Sequence, residues 1–161
     1  MRLRIASALA LLVCSLAAAQ TAQTAPKPPD TPQGRRMAAL LKAFGAGTPD
    51  AIRTFVSENF SQAALTQMPL DQRVARLSNM AKDIGPLEFS KVLESDSGHA
   101  SFLARASKSG DWVEVGLSLE ETAPFGIQGM RFEHTDGPDA APAETRKSSD
   151  AEAAAAARAR G

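Results

Sequence analysis

The apolar residues of this chain change period at one point, Gly85-Pro86, and that change does most to fix what the chain can become. Upstream of it the apolar positions recur every three or four residues. Met37, Leu40, Leu41 and Phe44 form one stripe, Ile52, Phe55 and Val56 a second, and Leu70, Val74, Leu77, Ala81 and Ile84 a third. Start and stop signals bracket them. Thr31-Pro32 and Thr48-Pro49-Asp50 each place a capping hydroxyl before a proline, and Gly45 and Gly47 end the first stripe. Phe60 closes the second element, and Ser61 caps a short turn reaching Leu65. Pro69 opens the third main helix, which Gly85-Pro86 ends as a glycine stop with proline beyond.

Downstream the period is two. Leu87, Phe89 and Val92-Leu93 read as a strand with an irregularity near Lys91, and Asp96-Ser97-Gly98 as a turn. Ala100, Phe102, Ala104 and Ala106 alternate with Ser101, Leu103, Arg105 and Ser107. After a second turn at Lys108–Asp111, Val113, Val115, Leu117 and Leu119 alternate with Trp112, Glu114, Gly116, Ser118 and Glu120. Ala123-Pro124 breaks the run, and Ile127–Glu133 is a fourth strand. Helices followed by a meander predict an α+β domain, with three N-terminal helices covering one face of a curved four-stranded antiparallel sheet.

The two ends do not share this patterning. Arg2 and Arg4 precede an apolar run from Ile5 to Leu16, and Ala17-Ala18-Ala19 offers small residues for cleavage before Gln20. Residues 1–19 therefore read as a signal peptide and the protein as exported, to the periplasm or beyond. The run is short for a membrane span, so no stable anchor is expected after cleavage; uncleaved, it would be a weak one. Val13 precedes Cys14 where lipidation wants a small residue. With Cys14, the one cysteine, removed, the mature chain has no disulfide, thiol nucleophile or thiolate metal site. Taking Arg2 and Arg4 from 18 bases against 18 acids leaves a net charge of −2, which excludes a basic nucleic-acid binder. Residues 20–30 read as a Pro-rich disordered leader. Residues 134–161 read as a disordered, Ala-rich charged tail in which Asp150–Arg160 is a marginal helix. Residues 31–133 are left as the folded domain.

The element order and several phrases resemble a known family. Ala43-Phe44 with Gly47, Asp50-Ala51 with Arg53, Phe55-Val56 and Asn59-Phe60, then Pro69-Leu70 with Arg73, Ile84-Gly85-Pro86-Leu87, and Gly110 with Trp112-Val113 are similar to small NTF2-like (cystatin-like, SnoaL-type) regions. The resemblance covers about 36–133. It implies the NTF2-like cone, and an accessory domain of the kind that precedes bacterial exported serine-hydrolase (β-lactamase-like) or S41-type peptidase domains. These phrases are packing and turn residues. The sequence carries no S-x-x-K, G-x-S-x-G or H-E-x-x-H, so no catalytic residue is carried over from those hydrolases.

No other residue set reads as an active site. Isomerase chemistry on such a fold wants a carboxylate in an apolar pocket and a tyrosine or neutral acid opposite; the chain has no tyrosine. Asp83 and Glu114 are the carboxylates to weigh, and both sit among polar neighbours, so a solvent-facing position is expected. His99 and His134 read as exposed loop histidines, and two isolated histidines make no dedicated metal site. Arg35-Arg36 and Arg73 with Arg76 are basic pairs suited to an anion or acidic partner, with a solvated helix face as the simpler expectation for the second. Gly45-Ala46-Gly47 lies at the wrong helix end to hold phosphate, and aromatics do not interleave with basic residues as nucleic-acid stacking needs. Gly116 and Gly129 lie inside strands, where they would mark bulges that curve the sheet, with or without a pocket.

Trp112 is the one residue singled out for binding. It falls on the face opposite Val113, so it either packs at the sheet edge or contacts a ligand or partner. The expectation is an exported, non-enzymatic domain without cofactor or metal, binding a small apolar ligand or a protein partner. The alternatives are a small isomerase or dehydratase with a pocket carboxylate, and an orphan accessory domain of a separate hydrolase. A homodimer through the sheet face is also expected of such a sheet.

Overall fold

The computed structural model describes residues 25–138. The expected signal peptide, the start of the expected leader and residues 139–161 of the expected tail lie outside the described residues.

Four helices come first: α1 Pro32–Ala46, α2 Pro49–Asn59, α3 Gln62–Gln67 and α4 Leu70–Ile84. The short turn expected after Ser61 is a helix in its own right. Its local cause was already visible, because Ser61 accepts from the Ala64 amide at 3.2 Å. Thr31 and Thr48 cap α1 and α2 in the same way, through the amides of Gly34 and Ala51. Pro69 is not the first residue of α4 but the one before it, and contributes no side-chain cap. The inward stripes are those the periodicity marks: Met37, Leu40, Ala43 and Phe44; Ile52, Phe55 and Val56; Val74, Leu77 and Ala81 are all buried.

Four strands follow, β1 Leu87–Ser95, β2 His99–Ala106, β3 Trp112–Leu119 and β4 Ile127–Thr135, paired antiparallel in the order β1-β2-β3-β4. The Asp96 carboxylate fixes the first turn by accepting from the Gly98 and His99 amides. The second turn closes onto the end of α4, with Lys108 Nζ donating to the Lys82 carbonyl at 2.7 Å and the Ser107 amide to Pro86. Two register shifts interrupt β1, one between Phe89 and Lys91 and one between Val92 and Glu94. A third leaves Gln128 of β4 without a partner. Such bulges increase local twist.

Gly129 borders that bulge, but Gly116 does not mark one: the β3 register runs through it unbroken. Its reason is the Arg131 side chain, which lies across it. A Cβ on Gly116 would stand 3.0 Å from Arg131 Cγ and Nε.

One face of the sheet, with Phe102, Ala104, Val115 and Leu117 at its centre, packs on the helices as a single core. Phe44 of α1 stacks on Phe132 of β4 at 5.6 Å between ring centroids. Residues on both sides of 31–133 also pack against the helices and strands. Before α1, the Pro29 carbonyl sits where a Cβ on Gly34 would be, and Asp30 pairs with Arg35 at 3.0 Å. After Glu133, His134 and Thr135 continue β4, and Gly137 is buried. Polar composition hid these segments because they pack through backbone rather than apolar side chains.

Candidate functional site

α4 begins beside the junction of α2 and α3, and this places Arg73 against Phe60. The guanidinium carbon lies 4.4 Å from the Phe60 ring centroid, and Nη2 donates to the carbonyl of Ala64 in α3 at 2.9 Å. Phe60 is itself held edge-on by Phe55. Arg73 Nε is buried and has no hydrogen-bond partner among the described residues. Burial, and then the neighbouring Arg76, hold the Arg73 guanidinium below its ordinary pKa. Arg76, one turn on, is exposed and makes no ion pair among the described residues. The solvated helix face expected of this pair is therefore correct for Arg76 alone.

These two arginines line a cavity of about 260 Å³ between α4 and β4. Its walls are Phe60, Met68, Met80, Met130 and Phe132, and no acidic side chain lines it. Three of the chain's five methionines converge here. They come from a loop, a helix and a strand, so no periodicity in the sequence gathers them. Thioether side chains have flexible torsions and adapt to apolar shapes. Arg131 contributes to the rim from β4, but its guanidinium turns to the other face of the sheet, 3.6 Å from Glu114 Oε1 and 3.7 Å from Glu133 Oε1.

The remaining candidates are scattered. Glu114 is buried, against the solvent-facing expectation. It lies on the face away from the helices and is held by Arg131. Asp83 is exposed near the end of α4, as expected, at the rim of a shallow depression it shares with His134. The two carboxylates stand on opposite faces and form no pair. His99 is the first residue of β2 rather than a loop histidine, half-buried with Nε2 3.8 Å from Glu94. His134 is exposed within β4.

Arg36 makes no free anion site. It donates to the carbonyls of Pro124 and Phe125 and to Asn59 Oδ1, joining α1, α2 and the β3–β4 loop. Trp112 lies on β3, an inner strand, so it does not pack at a sheet edge. It is half-buried, cross-strand from Arg105 and Thr135, with Arg105 Cζ 6.0 Å from its ring. It is remote from the cavity.

Among the described residues no group of three His, Cys, Asp or Glu side chains is placed to hold a metal ion, and no helix is long and apolar enough to cross a membrane. No family model, curated protein or solved structure matches the chain.

Proposed function

We propose that this is an exported, non-enzymatic binding domain of the NTF2-like kind, and that its ligand is a small amphiphilic anion. The apolar part enters the methionine-lined cavity between α4 and β4, and the anionic head meets Arg76 and Arg73. One observation carries the reading: two adjacent cations, one of them partly desolvated, face an apolar cavity with no carboxylate to balance them. Two like charges held together are costly, and a bound anion relieves that repulsion. The cavity is smaller than the roughly 300–1,000 Å³ of sites for drug-sized molecules, which favours a short chain or a single ring. The export reading rests on the Arg2–Ala19 segment.

The test is calorimetric titration with octanoate, using octyltrimethylammonium as the cationic counterpart. Octanoate should bind, the cation should not, and Arg76→Glu should abolish octanoate binding. Equal affinity for both amphiphiles, or no binding of octanoate, overturns the reading.

A further inference from the structure

The sheet face turned away from the helices is covered, although no described helix lies on it. Register sets its side chains in rows: Glu88, Arg105, Trp112 and Thr135; Lys91, Leu103, Glu114 and Glu133; Glu94, Ser101, Gly116 and Arg131. Neighbours within a pleated sheet shield the flanks of a side chain and leave its end open. Yet Ser101, Leu103 and Glu114 are only 1%, 2% and 4% exposed, and Thr135 is buried too. Leu103 stands outside the hydrophobic core cluster, so the core does not account for its burial. The outer positions Glu88, Lys91, Glu94 and Arg105 remain exposed.

The path of the chain after β4 indicates the cover. Gly137 passes over the Trp112 indole so closely that a Cβ there would stand 3.1 Å from Cδ1 and 3.2 Å from Nε1. The Pro138 carbonyl then accepts a hydrogen bond from Lys91 Nζ on β1. Within three residues of Thr135 the chain has left β4, crossed β3 and met a side chain of the far strand. It is heading over the face.

Beyond Pro138 the sequence continues through residues 139–161, in which the apolar residues are alanine and one proline. As a helix, Asp150–Arg160 would be about 16 Å long. Four strands about 4.8 Å apart span about 14 Å, so the two lengths match. Alanine lets a backbone approach a surface of Ser, Gly and Leu closely. Arg158 and Arg160 suit the exposed acids at the margins, Glu88 and Glu94. A helix this short is marginal alone and gains its stability from packing.

We infer that this face is the docking site of the chain's own C-terminal segment, residues 139–161, with the alanine-rich stretch lying over Leu103 and Trp112. This surface is on the opposite side of the sheet from the arginine-rimmed cavity and does not depend on what binds there.

A spin label on Ala154→Cys in the full chain carrying Cys14→Ser tests it, read by the indole N–H resonance of Trp112, the one tryptophan. The label should broaden that resonance away within its own chain. It should leave it intact when the label is on an isotopically unlabelled copy mixed with a labelled, label-free chain. An undisturbed indole in the first sample overturns the inference. Loss of the signal in the mixed sample overturns it in favour of a second copy on this face. Ending the chain at Pro138 gives a separate reading: Trp112 emission should move to the red, and unchanged emission from the folded shortened chain counts against docking.

Discussion

Arg36 Nη1 donates to Asn59 Oδ1 at 2.8 Å, while the Asn59 amide donates back to the Phe55 carbonyl at 2.9 Å. The arginine reaches further, to Pro124 and Phe125 in the loop after β3. One side chain thus joins three segments far apart in sequence. Replacing it by alanine leaves the buried Asn59 and two carbonyls short of a donor. Arg36→Ala should cost about 2 kcal/mol, as expected for hydrogen bonds to a charged group, read by urea denaturation. Arg36→Lys should recover little, because an ammonium cannot span the same fork of acceptors.

Gly137 has φ +125°, which side-chain-bearing residues rarely adopt, and its neighbour is the Trp112 ring. Gly137→Val should destabilise the fold by about 1–3 kcal/mol and shift Trp112 emission to longer wavelength. Thermal denaturation and fluorescence on the same sample separate the two effects.

Leu103 should behave as a core residue although it points away from the core. Leu103→Ala is expected to cost about 2–5 kcal/mol, the range for truncating a buried leucine. A leucine on a bare sheet face would lose no more than about 0.5 kcal/mol. Chemical denaturation of the full chain distinguishes these values.

Arg73 and Arg76 should separate stability from binding. Arg73→Met removes the stacking on Phe60 and the bond to Ala64, and should lower stability by about 1–2 kcal/mol. Arg76→Glu touches neither and should stay within about 0.5 kcal/mol of the parent. Arg73→Met should weaken octanoate binding, and Arg76→Glu should abolish it because it reverses the charge beside the cavity.

Those differences trace what the sequence could reveal. Element types and turns were legible because they are written locally: a threonine before a proline, three- and four-residue spacing to Ile84, alternation after it. The α3 helix was half legible, through Ser61. What escaped was set by tertiary neighbours. Glu114 alternates with apolar residues as an exposed acid would, and nothing on β3 says that its face is covered. Arg73 and Arg76 look alike in sequence and differ in that Phe60 lies beneath only one of them. The clamp by Arg36 spans nearly ninety residues, and the methionine-lined cavity draws on three separate elements. The order at Pro29 and Gly137 was missed because those segments pack through backbone, which hydrophobicity does not report.

The two irregularities in β1 bear on how this molecule behaves among its copies. An edge strand offers unpaired amides and carbonyls to any extended chain, and a straight apolar edge invites fibrillar addition. Here the pairing rhythm slips at Ser90 and again at Leu93, with Lys91 exposed between them. An incoming strand would find its donors and acceptors out of step after a few residues and a positive charge in its way. These breaks in register therefore guard the β1 border of the sheet against aggregation.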